Sequence, residues 1–495
     1  MAVDNSGNVY VTGGSFGSGT AGDYSTIKYN SSGIQQWEAR YNGPGNSYDN
    51  AYSIAVDNSG NVYVTGSSLD GLSDYATIKY NSSGVQQWAQ RYDGPASSGD
   101  DPRSLAVDDS GNVYVTGSSF GVNGTGFDYA TIKYNSSGVQ QWAQRYNSPG
   151  NESNDNAWSL AVDTSGNVYV TGGSGTVSDY ATIKYNSAGV EQWVQRYNGP
   201  GNGGDYTYSL ALDASGNVYV TGGSNSSSGS GTEDYATIKY NSSGVEQWVQ
   251  RYNGPGNGAD IARSLAVDNS GNVYVTGHSF GNGTSNDYAT IKYNSSGVQQ
   301  WVQRYNGPGN VGDIAISLAV DISENVYITG VSSSDYATIK YNSSGVEQWV
   351  QRYNGPGNDF DNAYSLALDA SGNVYVTGFS TGIGTEKDYA TIKYSQQVGI
   401  QLISNEIPNQ FSLSQNYPNP FNPKTVINYE LRVTGNTELK VFNVLGNEVS
   451  TLVNEKQNAG SYQVEFDGSN LTSGVYFYKI EAGEFVETKR MLLIK

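Results

Sequence analysis

Asp108-Asp109-Ser110-Gly111-Asn112-Val113-Tyr114-Val115-Thr116-Gly117 reads as a tight turn that runs straight into a strand, and the fold follows from what surrounds it. Asp, Ser, Gly and Asn supply the turn, and the Val-Tyr-Val-Thr run supplies the residues that suit a pleated, half-buried surface. Taking residues 104 to 147 together, four strand signals succeed one another: Ser104 to Asp108, Asn112 to Ser118, Asp128 to Asn135, and Val139 to Tyr146. The second tight turn, Asn135-Ser136-Ser137-Gly138, joins the last two strands. Strands two and three are joined by a loop of changing length, short at Gly330 to Asp335 and long at Gly222 to Asp234, and strand four returns through Asn-Gly-Pro-Gly-Asn, as at Asn198 to Asn202. Because successive strands reverse direction, both tight turns fall on one face of the unit. The variable connections fall on the other, where binding loops usually reside.

The same unit recurs. Its Asp-Tyr-Ala (Asp-Tyr-Ser in the first copy) stands at Asp23, Asp74, Asp128, Asp179, Asp234, Asp287, Asp335 and Asp388, at intervals of 48 to 55 residues. A four-stranded repeat of that period cannot bury both faces alone, and stacking such units in a ring predicts an all-β fold, a β-propeller over residues 1 to 395. Eight blades are expected, with seven as the alternative. Strand four occurs seven times against eight for strands two and three, so one blade lacks its outer strand. Two sources fit that place: Val398-Gly399-Ile400-Gln401-Leu402-Ile403, with apolar residues at alternate positions, and chain preceding Met1. The sequence starts inside a repeat, so an amino-terminal segment with an export signal is expected to precede it. Residues 396–410 are either linker or closing strand, and 411–495 a separate small immunoglobulin-like β-sandwich.

Composition narrows the function classes. The net charge is −20, of which residues 1 to 395 carry −18 from 36 acidic and 18 basic side chains. Such a field repels phosphate backbones, which argues against nucleic acid as partner. With no cysteine there are no disulfides and no thiolate chemistry, and no apolar run is long enough to span a bilayer. A monomer is expected.

Over residues 1 to 395 the recurring Asp-x-Ser-Gly-Asn-Val-Tyr-Val-Thr-Gly, Asp-Tyr-Ala-Thr-Ile-Lys-Tyr and Trp strand resemble the bacterial β-propeller repeat family known as SBBP. The seventh copy departs with Ile322, Glu324 and Ile328; Glu324 replaces the turn glycine, and a changed turn is expected there. The tail resembles the type A sorting domain of the type IX (Por) secretion system. The matching features are Asn416-Tyr417-Pro418-Asn419-Pro420-Phe421-Asn422-Pro423, Phe442-Asn443-Val444-Leu445-Gly446, Ser473-Gly474-Val475-Tyr476-Phe477-Tyr478 and the closing Lys489 to Lys495. That resemblance implies export by the type IX machinery to the outside of a Bacteroidota-type cell, with release or attachment at the outer membrane.

Candidate chemistry is of two kinds. Repeat-locked residues include Asp49, Asp100, Asp155, Asp205, Asp260, Asp313 and Asp361, each four residues before the Ser of an inner strand; a carboxylate ring there would suit calcium, which takes six to eight oxygens. The competing reading is that each Asp caps its own turn. The series from Lys28 to Lys393 and from Arg40 to Arg352 contain 15 of the 18 basic residues of the repeats and, with the Trp series Trp37 to Trp349, read as packing between blades. Irregular residues are His278, the only histidine, and the loop acids Glu152, Glu233, Asp359 and Glu386. Asn81 and its equivalents are turn residues despite matching a glycosylation sequon. The expected function is a non-catalytic surface scaffold that binds protein or glycan and needs no cofactor beyond that calcium. The alternative is a polysaccharide hydrolase or lyase.

Overall fold

The computed structural model describes every residue except 18–20, 123, 150–153, 227–230, 396–400, 405 and 470. Among the described residues the only helical element is the single 3-10 turn Pro308–Asn310; everything else regular is strand. Two compact units divide at Tyr394 and Ser395.

The first unit holds eight antiparallel sheets among its described residues, each ordered as the chain runs. The third sheet is representative: Asp100–Val107, Val113–Phe120, Phe127–Tyr134 and Gln140–Tyr146. Three of these match the sequence reading closely. The first begins four residues earlier than Ser104 because a β-bulge at Arg103 lets the ladder resume, pairing Pro102 with Gly117 and Asp100 with Ser119. The same irregularity recurs in the first strands of sheets two to eight, at Tyr52, Trp158, Tyr208, Arg263, Ile316 and Tyr364.

First strands touch the first strands of both neighbouring sheets, so they form the inner wall of a ring. Each gap between sheets is filled by a copy of one apolar cluster. Tyr114 and Tyr129 of the third sheet pack on Ala157, Val168, Val170, Ala181 and Ile183 of the fourth, all buried. The tyrosine hydroxyls are satisfied across the gap: Tyr24, Tyr75, Tyr129, Tyr180, Tyr235, Tyr288 and Tyr336 each donate to the alanine carbonyl of the next sheet at 3.1–3.4 Å. Burying so large a ring while keeping its polar tip bonded stabilises each gap by about 2–3 kcal/mol.

The eighth sheet has three strands, Asn362–Leu368, Val374–Thr381 and Lys387–Tyr394, and it meets the first. Tyr375 packs with Val9 and Val11, Tyr389 donates to the Gly14 carbonyl at 3.2 Å, and Lys393 to the Ser31 carbonyl at 3.0 Å. Residues 398–403 were one expected source of a fourth strand here. The described part contradicts this, because Gln401–Ser404 pairs with Gly460–Asp467 of the second unit; Val398 to Ile400 lie outside the described residues.

The changed turn expected in the seventh copy is not observed either. Glu324 adopts φ 62°, donates its N–H to the Asp321 carbonyl at 3.0 Å as Gly111 does to Asp108, and reaches Lys292 with its carboxylate at 2.8 Å. The hairpin imposes the left-handed conformation, and the side chain bears the strain.

The second unit packs two four-stranded sheets around a common core that includes Phe421, Ile427, Tyr429, Leu439, Val441, Val464, Tyr478 and Met491. One strand, Glu448–Gln457, was not anticipated; a register shift at Leu452 buries Leu452 and Val453 side by side, so the strand lacks a regular alternation.

Candidate functional site

Most charged groups in the propeller are consumed by the repeat itself. Arg91 reaches Asp74 at 2.6 Å and the Ser68 carbonyl at 3.2 Å, and the same pairing recurs from Arg40–Asp23 to Arg352–Asp335. Later copies add a bond to the preceding sheet, such as Arg304 to the Tyr252 hydroxyl at 3.1 Å. Each repeat lysine lies about 5 Å from a tyrosine ring centroid, as Lys133 does over Tyr114 at 5.1 Å. Each of six tryptophans, Trp37 to Trp301, donates its indole N–H to a serine carbonyl in the next sheet's turn, for example Trp193 to Ser242 at 3.4 Å. These residues clamp blades together, as the repeat-locked reading expects.

The seven aspartates of the expected calcium ring are placed differently from that expectation. Asp49, Asp100, Asp155, Asp205, Asp260, Asp313 and Asp361 are buried at or beside the start of their inner strands; all but Asp313 tie two loops, and Asp313 accepts the Gly307 N–H at 2.6 Å while its second oxygen has no hydrogen-bond partner among the described residues. Asp260 accepts the Gly254 N–H at 2.5 Å and the Phe280 N–H at 2.9 Å; Asp205 accepts Gly199 at 2.6 Å and Asn225 at 2.9 Å. Burial, opposed by these bonds, leaves Asp100, Asp205, Asp260 and Asp313 above the ordinary carboxylate value. Oxygens so engaged do not fit an ion that requires six to eight of them. Among the described residues the single acidic cluster with ligand atoms within 4.8 Å joins Asp100 to Asp74 and Asp93, not to its own series. In place of a shared ring, the structure gives six of these carboxylates the role of loop ties beside the bulged inner strands.

His278 lies in the second strand of the sixth sheet, 6% exposed, opposite Ile261. Burial, aided by nearby Arg263, pushes its pKa down to about 4, so the ring is neutral at physiological pH. Its Nδ1 has no hydrogen-bond partner among the described residues, and the neighbouring Ser279 hydroxyl is bonded by Arg304 at 2.6 Å, not by His278. Of the irregular acids, Glu233 opens a third strand, Asp359 and Glu386 are exposed loop residues, and Glu152 lies outside the described residues.

What the structure does gather is a set of irregular residues on the inner wall. Only three basic residues of the propeller break the repeat, Arg103, Arg263 and Lys387, and all three sit over aromatic rings. The Arg103 guanidinium lies 5.5 Å from the Tyr52 centroid and 4.7 Å from Trp158; Trp158 contacts Tyr208 at 5.7 Å; Arg263 lies 4.5 Å above Tyr208. This alternation runs unbroken across the bulges of five consecutive inner strands. In the eighth sheet a smaller group continues the theme, with Lys387 4.2 Å over Phe379 and Phe379 beside Tyr364 at 5.8 Å. Arg103 is paired with Asp101 at 2.5 Å, whereas Arg263 makes no ion pair among the described residues. Tyr52 and Tyr364 keep 41% and 54% of their surface open, so ring edges and faces are left for a ligand.

Sequence reasoning missed this belt. The signal was available in the residue before Ser-Leu-Ala or its variants, which reads Tyr52, Arg103, Trp158, Tyr208, Arg263, Ile316, Tyr364 amid otherwise fixed neighbours.

In the second unit the quoted tail motif is a structural stitch. Asn416 is buried, its N–H donating to the Tyr478 hydroxyl at 2.8 Å and its amide to Thr425 at 2.9 Å. Asn419 accepts from Leu492 at 3.0 Å, and Phe421 exchanges backbone bonds with Leu492 and Ile494. Pro418 and Pro420 follow cis peptide bonds, while Asn422 and Pro423 lead into the strand Lys424–Leu431. Gly474, Val475 and Tyr476 open the strand Gly474–Ala482, the Tyr476 hydroxyl bonding the Thr472 carbonyl at 2.8 Å. Tyr417 alone of the motif's large side chains is 81% exposed.

Comparison with known proteins agrees with both halves. The family model described as "Beta-propeller repeat" matches six segments, 36–72, 87–124, 192–229, 247–283, 300–337 and 348–384. The model described as "Secretion system C-terminal sorting domain" matches 415–495. No curated protein matches the chain. Solved structures with similarity include PorZ, a surface component of the type-IX secretion system of Porphyromonas gingivalis, at 14% identity and TM-score 0.44, covering 95% of this chain. The chain spans 63% of that protein's length. Another is the β-propeller domain of the Trilobed protease from Pyrococcus furiosus, at 6% identity and TM-score 0.41, covering 70% of this chain and 95% of that one. Likenesses this distant carry no functional argument. The repeats and the tail do: the chain carries β-propeller repeats of that family and ends in a secretion-system C-terminal sorting domain.

Proposed function

We propose that this protein, once exported through its sorting tail, is held at the cell surface and binds a glycan on the inner-wall belt, without turning it over. The observation that carries the reading is the placement of Arg103, Arg263 and Lys387, the three basic residues outside the repeat, each over an aromatic ring beside the bulged strands. Aromatic faces stack on the apolar faces of sugar rings, and a rigid inner wall presents them at little entropic cost. Arg263, without a carboxylate partner among the described residues, favours an acidic sugar, whose carboxylate a guanidinium grips through two parallel bonds. In a unit of net charge −18 that guanidinium would be the local exception that admits an anion.

The test is calorimetric titration of the purified chain with neutral and uronate-containing oligosaccharides, with reducing ends followed in parallel. Saturable binding without new reducing ends, weakened about tenfold by Trp158→Ala and by Arg263→Ala, supports the reading. Binding by both variants as tight as the parent's, or no binding of any oligosaccharide, overturns it. Release of reducing ends would replace it with the hydrolase.

A further inference from the structure

The tight-turn end of the propeller repeats a cavity that one sheet fills with its own side chain. Cavities of about 320, 370 and 510 Å3 lie between the first and second sheets, the third and fourth, and the fourth and fifth. The same four positions line all three: a lysine and a tyrosine from one sheet, a turn glycine and a turn serine from the next. Between the third and fourth sheets these are Lys133, Tyr114, Gly166 and Ser187. The other two cavities pair Lys28 with Gly60 and Lys184 with Gly216.

The lysine lacks a carboxylate partner in all three. Lys28, Lys133 and Lys184 make no ion pair among the described residues, and Lys133 and Lys184 each spend one N–H on a serine carbonyl, at 3.1 and 3.0 Å. An ammonium has three donors, so two remain. The turn aspartates beside them are already engaged: Asp163 accepts the Ser165 and Asn167 N–H groups at 2.9 Å, the Asn167 amide at 2.7 Å and the Tyr169 hydroxyl at 3.0 Å.

The gap between the sixth and seventh sheets shows what such a cavity accepts. There Glu324 stands in the place of the turn glycine, and its carboxylate meets Lys292 at 2.8 Å. Lys292 is buried, whereas Lys28, Lys133 and Lys184 are half-buried. The cavity left in this gap is lined by Glu324 and no longer by the lysine or the tyrosine. The turn leaves a route for that side chain. A Cβ added at Gly166 would meet the Ser187 Cβ at 3.3 Å and the Tyr114 hydroxyl at 3.6 Å, and one at Gly216 the Ser242 Cβ at 3.5 Å and the Tyr169 hydroxyl at 3.9 Å.

We propose that these three cavities take a carboxylate from outside the molecule, as the gap at Lys292 takes one from within, and that its source is a glutamyl side chain on an acidic segment of a partner protein. Repetition around the ring would let one segment engage two cavities, raising affinity through effective concentration. The propeller's net charge opposes an anion at long range. That field is screened beyond about 8 Å at physiological salt, whereas a contact pair inside a gap is screened much less. The site is separate from the inner-wall belt, which lies at the bulges.

The experiment follows acetylation of individual lysines by mass spectrometry in the full chain at physiological salt, with oligoglutamate as the probe and oligoglutamine and oligogalacturonate as comparisons. Acylation needs the neutral amine, and a carboxylate against the ammonium holds the proton on. Oligoglutamate should therefore slow Lys28, Lys133 and Lys184 at least about threefold, while Lys292, already paired, stays slow throughout. Lys387, exposed at the variable-loop end of its sheet, is the internal control and should not respond. Glu324→Gly should let Lys292 react as fast as Lys133 and make it respond to oligoglutamate. Glu324→Gln, which keeps the cavity filled, should speed Lys292 without making it respond. Unchanged rates at Lys133 and Lys184, equal slowing at Lys387, equal protection by oligoglutamine, or a Glu324→Gly chain whose Lys292 ignores oligoglutamate overturns the proposal. Protection by oligogalacturonate alone overturns the choice of partner and puts an acidic glycan in its place.

Discussion

At the level of single residues, the informative positions are those where the repeat is broken, and two of them make opposite predictions for stability. His278 stands where other copies carry residues such as Ser67, Ser118, Gly173 or Gly223, and its folded pKa of about 4 lies below the 6.5 expected when unfolded. The unfolded chain therefore binds the extra proton first as pH falls. Stability from this group is complete above pH 6.5 and is lost as pH falls from there toward 4. His278→Ser should remove that dependence: the difference in unfolding free energy between variant and parent, read from urea melts, should shift by about 2 kcal/mol in the variant's favour between pH 7.5 and pH 4.5. A constant difference would show that the imidazole is not held neutral. Glu324 is the converse case. Glu324→Gly relieves a positive φ of 62° but gives up a 2.8 Å pair with Lys292, whose side chain is only 9% exposed. Relief of about 1 kcal/mol should exceed the value of a pair whose carboxylate is 37% exposed, so the variant should melt higher than the parent. Sequence alone flagged both residues as departures. It could not say that the hairpin would keep its shape around Glu324, because the alternation of turn and ladder overrides one residue's preference.

At the level of elements, the strand pattern of the repeats was legible because Val, Tyr, Thr and Ile alternate with small residues on a repeated template, and within the repeats only the starts of the inner strands lie elsewhere. That single error moved the candidate site. A strand beginning at Ser104 would leave Asp100 and its equivalents in loops, where they suggest a metal; with the bulge in place they become loop ties, and the residue at the bulge becomes the one that faces the wall. A bulge leaves no compositional mark beyond the residue it frees, so no period count would have located it. The outer strand offers a sharper test of element packing. Trp193 contacts Tyr169 at 6.2 Å and Tyr240 of the next sheet at 6.3 Å, besides its bond to the Ser242 carbonyl. Trp193→Ala should therefore destabilise the propeller by about 2–3 kcal/mol, less than a fully buried tryptophan because the ring is only half-buried. If thermal melts show less than about 0.5 kcal/mol, the tryptophans decorate the blades and do not clamp them.

For the whole molecule, the division of labour follows from which strands pair with which. Every sheet draws its strands from one side of Tyr394 only, and the second unit has a core of its own around Phe421, Ile427 and Val441. The tail's pattern was readable in sequence because Asn416 and Asn419 are tied through their side-chain amides and Phe421 fills the core between them and the last strand. Its one exposed aromatic, Tyr417, is bonded only through its backbone, to Val426 at 2.9 Å. These facts separate folding from delivery. A chain ending at Tyr394 should keep the circular-dichroism spectrum and the oligosaccharide affinity of the parent while failing to leave the cell. Tyr417→Ala, in the full chain, should leave the melting temperature within about 2 °C of the parent, as exposed substitutions do, and reduce the exported fraction if the machinery reads this face. Asn416→Ala should instead lower the tail's own melting transition, because the buried Thr425 hydroxyl and the Pro418 carbonyl lose the Asn416 amide. Equal loss of export in both variants, with unfolding in neither, would mean that the motif is read as a whole and that its buried bonds matter less than its outline.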